Sequence, residues 1–158
     1  MLTIFQRLVV VAVILLSMAT AVTAVNQMLG LDNMVKADVL RVEDATIILG
    51  TGCKAIVADT SAERADSIRL GQLKVINERP TTHDTFVDAL KAFNITVDSF
   101  RMTRYDGKLY YADLILKSRD KILKLDVRPS DGMAIAVRVD APMYINKTLL
   151  AENGENIC

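Results

Sequence analysis

Residues 122–137 read Ile122-Leu123-Lys124-Leu125-Asp126-Val127-Arg128-Pro129-Ser130-Asp131-Gly132-Met133-Ala134-Ile135-Ala136-Val137, and the change of pattern inside them decides the fold class. Up to Arg128 the residues alternate. Leu123, Leu125 and Val127 face one way and Lys124, Asp126 and Arg128 the other, which is the period of a strand. At Pro129 the alternation stops. Pro129-Ser130-Asp131 suits the first turn of a helix, and Met133, Ala134, Ile135 and Val137 continue it until Asp140-Ala141-Pro142 breaks it. Asp126 and Arg128 are left as neighbours on a polar face, next to a helix start.

Upstream, 95–103 and 109–117 read as strands flanking Tyr105-Asp106-Gly107, where Asp-Gly favours a two-residue hairpin turn. A helix is predicted over 83–93, capped by Thr82 and ended at Asn94, with Phe86, Val87, Leu90 and Phe93 on one face. Residues 35–42, 46–49 and 53–58 read as strands, the last two joined through Gly50-Thr51-Gly52. Thr60-Ser61-Ala62-Glu63 has capping-box spacing and predicts a helix that carries Ala65 and Ile68 inward and stops at Gly71. After the third helix, 143–145 is a short strand and 147–151 at most a helical turn. Strand runs punctuated by single helices define an α+β fold with a mixed, largely antiparallel sheet and about three helices.

The 158 residues fit one such domain plus an appendage. Residues 8–31 contain no charged side chain, and 8–25 read LVVVAVILLSMATAVTAV. That run is long enough to cross a hydrocarbon core of about 30 Å at about 1.5 Å per residue. A cleaved signal peptide is the competing reading, given Arg7 and the small residues Ala19, Ala21 and Ala24. Apolar character persists through Met28, Leu29 and Leu31, which favours a retained transmembrane helix. The expected organisation is therefore a membrane anchor over 1–31 and an α+β domain over 32–158. Arg7 on one side of the span and Asp32, Lys36 and Asp38 on the other predict a single-pass protein with its domain on the extracytoplasmic side.

The chain carries 19 basic and 19 acidic side chains, and Arg7 alone precedes Asp32, so the domain is close to neutral. It has no overall attraction for a polyanion, and any nucleic-acid contact must be local. Cys53 and Cys158 can pair in an oxidising exterior, but a terminal cysteine is the least expected to hold a fixed partner, and unpaired thiols are the expected state. Asn94-Ile95-Thr96 and Asn146-Lys147-Thr148 match glycosylation sequons and do not decide topology.

Two segments share a local design: Arg79-Pro80-Thr81-Thr82-His83-Asp84 and Arg128-Pro129-Ser130-Asp131. In each, an Arg ends an extended stretch and is followed by Pro, a hydroxyl residue able to cap a helix, and an acid in the first turn. Free backbone N–H groups, a positive dipole end and a guanidinium together suit an anion such as phosphate. Arg79, Thr82, Arg128 and Ser130 are the candidate substrate-binding residues. His83, the single histidine, suits general acid or base work near neutrality, with Asp84, Asp126 and Asp131 as its catalytic partners. Those three acids can also hold a divalent cation through oxygen ligands. Ordinary helix caps and ordinary salt bridges account for the same pattern without any ligand.

On these two motifs, on Gly132-Met133-Ala134-Ile135-Ala136 after the second, and on the order of elements between them, the chain resembles the bifunctional nuclease (BFN) domain family over roughly residues 34–150. The resemblance implies an α+β domain, often dimeric, in a family credited with cleaving both DNA and RNA. Thr81 stands where the family usually has Leu, Gly132 where it usually has Ala, and 55–59 lacks the usual Pro and Gly. Gly132 lowers helix propensity by up to about 1 kcal/mol relative to Ala. A transmembrane span is a further departure.

Two functions follow. The first is a membrane-anchored nuclease hydrolysing phosphodiester bonds in DNA or RNA, with nucleic acid and a second copy of the chain as partners. The alternative is a non-catalytic dimeric module that presents a ligand- or partner-binding surface at the membrane. The two motifs should meet in space if they form one anion site.

Overall fold

The structure, a computed structural model, describes residues 11–18 and 30–158. Residues 11–18 are helical with every side chain exposed. The remainder of the expected span lies outside the described residues, and among those described no helix is long and apolar enough to cross a membrane.

From residue 34 the chain forms β1 (Met34–Glu43), β2 (Thr46–Thr51), β3 (Lys54–Asp59), α1 (Ala62–Leu73), α2 (Thr82–Ala92), β4 (Thr96–Tyr105), β5 (Tyr110–Ser118), β6 (Lys121–Val127), α3 (Pro129–Arg138), β7 (Met143–Asn146), α4 (Lys147–Asn153) and β8 (Glu155–Asn156). The strands make one eight-stranded sheet in the order β6-β5-β4-β7-β1-β2-β3-β8. Two antiparallel meanders, β1–β2–β3 and β4–β5–β6, supply most of it, while β7 lies parallel to β4. This is the expected α+β class with a mixed, mostly antiparallel sheet. The described residues hold five helical segments rather than about three, because α4 is a full helix capped by the Asn146 side chain and residues 11–18 add another.

Alternation places Phe100 and Met102 of β4 and Ala112, Leu114 and Leu116 of β5 in the core. Helix α3 buries every residue from Gly132 to Val137, as expected of a helix apolar on nearly all sides. Gly132 has a packing reason: a Cβ there would lie 2.6 Å from the Phe100 ring. Gly71 does not stop α1, which runs on to Leu73 and ends at Lys74 in the left-handed conformation. It sits inside the helix because a Cβ would meet the Val137 side chain at 2.7 Å.

Other boundaries also shift for local reasons. Ser61, not Thr60, caps α1, and Thr81, not Thr82, caps α2. The β4–β5 connection is a four-residue loop rather than a two-residue Asp-Gly turn, since Tyr105 pairs with Tyr110. The Asp106 carboxylate accepts hydrogen bonds from the Lys108 and Leu109 N–H groups at 2.9 and 2.8 Å, replacing the tighter turn.

The expectation of two free thiols is overturned. Cys53 and Cys158 form a disulfide with Cα atoms 5.2 Å apart. The two-residue β8 pairs with Lys54 and Ala55 of β3, and the Ile157 N–H donates to the Cys53 carbonyl at 3.0 Å, so Cys158 is held beside its partner. The bond spans 105 residues, nearly the whole domain. Alkylation of the native chain should modify neither cysteine until reductant is added, and Cys158→Ser should lower stability by about 2–5 kcal/mol. Equal melting temperatures with and without the bond would contradict this. Gly132→Ala should cost about 1–3 kcal/mol through displacement of Phe100. A neutral or stabilising effect would show that the core yields.

Candidate active site

The site is built where the starts of α2 and α3 meet the middle of α1. Thr81 and Asp84 form a reciprocal capping box: Thr81 Oγ1 accepts from the Asp84 N–H at 3.4 Å, and the Thr81 N–H and hydroxyl both donate to Asp84 Oδ2 at 2.7 Å. The other oxygen, Asp84 Oδ1, accepts from Arg138 Nε at 2.6 Å, and both side chains are more than nine-tenths buried. Arg138 also donates to the Ser67 and Ala134 carbonyls at 2.9 and 2.7 Å, and to the Ser67 and Thr81 hydroxyls at 3.1 and 3.3 Å. Burial alone would raise the Asp84 carboxyl, but the hydrogen bonds from Arg138 and Thr81 outweigh it and hold its pKa at about 2. A buried ion pair thus ties α1, α2 and α3 together.

His83 is the second residue of α2, and its Nδ1 lies 2.9 Å from Ser67 Oγ. Ser67 Oγ accepts from Arg138 and can give its own proton to Nδ1, and the Asp131 carboxylate facing Nε2 favours the tautomer with the hydrogen on Nε2. Nε2 points at Asp131 Oδ1, 3.5 Å away. Asp131 Oδ2 accepts from Arg128 Nε at 2.5 Å. A polar chain therefore runs from Arg138 through Ser67, His83 and Asp131 to Arg128, with one loose link. Asp131 Oδ1 is the one buried side-chain oxygen or nitrogen among the described residues without a hydrogen bond. Burial lowers the His83 pKa, with the Asp131 carboxylate pulling it back up and Arg138 lowering it further. The net lowering favours the neutral imidazole.

The chain opens on a cavity of about 710 Å³, lined by Ser67, Thr82, His83, Arg128 and Asp131 among others. The two motifs do meet: Thr81, Thr82 and His83 of the first and Arg128 and Asp131 of the second line this cavity, with His83 facing Asp131. Arg79 is exposed and does not line this cavity. Asp84 and Arg138 are absent from the lining of this one. Asp126 pairs in register with Asp113 of β5 and borders a second cavity of about 460 Å³. Ser130 also borders that second cavity; it is buried and does not cap α3, whose cap position is taken by Arg128 without a side-chain bond. Asp84, Asp126 and Asp131, which could have shared a divalent cation, are not brought together. Asp84 is turned to Arg138 and Asp126 lies elsewhere, and among the described residues no three His, Cys, Asp or Glu side chains are placed to hold a metal ion.

Three contributors were not singled out from sequence. Ser67 lies mid-helix and carries no motif. Arg138 ends a helix that is apolar and buried from Gly132 to Val137, and a charge directly after so buried a run is the signal that marks it. Arg64 lines both the larger and the second cavity.

Residues 54–157 match the bifunctional nuclease domain family, and the chain belongs to it. An uncharacterized protein of Mycobacterium tuberculosis is 38% identical over 90 residues, covering 57% of this chain and 53% of that protein. Bifunctional nuclease 2 of Arabidopsis thaliana is 34% identical over 82 residues, covering 50% of this chain and 25% of the plant protein. Bifunctional nuclease 1 of Oryza sativa subsp. indica is 28% identical over 122 residues, or 75% of this chain and 35% of its own length. The matched region thus spans about half of the bacterial relative and a quarter to a third of the plant ones.

Asp131→Asn should lower the His83 pKa further, because the carboxylate it removes favours the protonated ring; histidine NMR titration reads this, and an unchanged or higher value would contradict the pairing. The folded-state pKa lies below the unfolded one, so the contribution of His83 to stability is complete above about 6.5 and declines as the pH falls below it. Arg138→Met should destabilise by about 3–5 kcal/mol, since it leaves Asp84 buried and unpaired. Denaturant melts check this, and a loss under about 1 kcal/mol, the scale of an exposed pair, would contradict it.

Proposed function

We propose that this chain is a nuclease that hydrolyses phosphodiester bonds. The observation that carries this reading is the His83–Asp131–Arg128 constellation on one open cavity, in a chain of the bifunctional nuclease domain family. Arg128 binds a nonbridging phosphate oxygen with its terminal nitrogens while its Nε remains on Asp131. A water that accepts from the His83 Nε2–H beside the Asp131 carboxylate attacks phosphorus and gives up its proton to that carboxylate, the base of the His83–Asp131 pair, as the P–O bond to the leaving oxygen breaks. The leaving oxygen then takes a proton from the same pair or from solvent. Asp84 and Arg138 act by positioning, through Thr81 and Ser67. No step is assigned to a metal ion.

The uncharged run of 8–31 and the exposed apolar side chains of helical residues 11–18 support a membrane anchor ahead of the domain. The disulfide supports an oxidising, extracytoplasmic location. A partner-binding role has its own supporting observation: β6 is the last strand of the sheet, and Ile122 and Leu123 on it are 72% and 54% exposed. An open apolar edge favours covering by a second copy of the chain.

Purified chain should cleave single-stranded DNA or RNA, with activity falling as salt rises because counterions compete for the phosphate contacts. His83→Ala and Asp131→Asn should each reduce cleavage by about 100-fold or more while remaining folded. No cleavage on any substrate, with or without added divalent ions, would leave the interaction module as the better reading. Ile122→Lys should shift the chain toward monomer in light scattering, and an unchanged mass would remove β6 from any self-association.

A further inference from the structure

We infer that the second cavity is the subsite for a nucleoside adjoining the phosphate, with Arg64 and Arg128 holding that phosphate where the two cavities share a wall. This rests on the nuclease reading of the His83 cavity and adds to it a place for the base. The second cavity measures about 460 Å³, within the range of about 300–1,000 Å³ typical of small-molecule sites. Buried Leu49, Ile56, Met102 and Met133 form its floor, and Tyr110 stands among its walls. The exposed residues Lys108 and Asp126 lie at its rim. Apolar side chains, thioethers and an aromatic ring suit the flat faces of a nucleobase, and cations at the mouth suit its phosphate.

Arg64 is the observation that joins the cavities. It lines both, it is half-buried, and its guanidinium is satisfied by the Thr60 hydroxyl at 3.1 Å rather than by a carboxylate. No ion pair involves it among the described residues. A half-buried guanidinium that no carboxylate pairs keeps donors for an anion, even with Asp59 and Asp126 on the walls of the same cavity. Arg128 spends Nε on Asp131 and borders both spaces as well. A phosphate between the two arginines would face His83 and Asp131 on one side, with its nucleoside reaching over Met102 and Met133 on the other.

The test uses the full chain in detergent, with methionine methyl groups labelled, titrated with adenosine 5′-monophosphate, ribose 5-phosphate and inorganic phosphate. The nucleotide should shift the Met102 and Met133 methyl signals and bind about tenfold or more tightly than ribose 5-phosphate, which lacks the base. Ala58→Phe, which projects into the second cavity, should erase that advantage and leave ribose 5-phosphate binding as it was. Arg64→Gln should weaken all three ligands. Methyl signals unmoved at saturating nucleotide would overturn the subsite, as would an Ala58→Phe protein that keeps the nucleotide's advantage. If Ala58→Phe fails to fold, the methyl signals of the unaltered chain decide. Nucleotide seated over Met102 and Met133 without hydrolysis of any substrate would sink the nuclease reading and keep the subsite, whereas hydrolysis with unmoved methyls would sink the subsite alone.

Discussion

The guanidinium of Arg138 lies where three helices converge, and the geometry of the site depends on what it satisfies there. It binds the Asp84 carboxylate of α2, the carbonyl and hydroxyl of Ser67 in α1, and a carbonyl of its own helix α3. Two charges this deeply buried are tolerable only if their remaining hydrogen-bonding capacity is met, and here both oxygens of Asp84 are used. The pair need not add net stability to matter. Its geometric effect is to fix Ser67 Oγ and the start of α2, which together aim His83 Nε2 at Asp131.

The fold class was legible because its signals are local. Period-two alternation marked the meanders, and Pro, Thr and Asp at helix starts marked α2 and α3 to within a residue. The meeting of His83 with Asp131 could be anticipated only as one possible packing of two helix starts. Arg138 escaped notice because its carboxylate partner is 54 residues away. Two residues are too few for any periodicity, so β8 left no trace in the sequence, and without it Cys158 read as a loose end. Asp126 misled for the opposite reason: its proximity to Arg128 is real, and both border the second cavity, but only Arg128 also reaches the cavity of His83 and Asp131.

The departures noted from the family pattern acquire physical meanings. Gly132 lets α3 lie closely against Phe100, so the helix propensity lost there is traded for packing. Thr81, in place of the usual Leu, is the cap of α2 and touches both Asp84 and Arg138. The departure therefore strengthens the polar lock. Arg64 and Arg128 then sit between a polar cavity suited to chemistry and an apolar one suited to a base, a division of labour available only because α1 and the start of α3 flank both.

The central claim is that the buried pair acts on the site by holding His83 in one tautomer and one direction. The most direct measurement is the ring ¹⁵N spectrum of His83 in the double variant Asp84→Asn with Arg138→Met, which deletes the pair without leaving a lone buried charge. If the claim holds, the variant folds but its ring nitrogens lose the signature of a hydrogen on Nε2 with Nδ1 accepting from Ser67. Ring signals identical to those of the unaltered protein would show that His83 is positioned without Arg138, and the account of the site would fail.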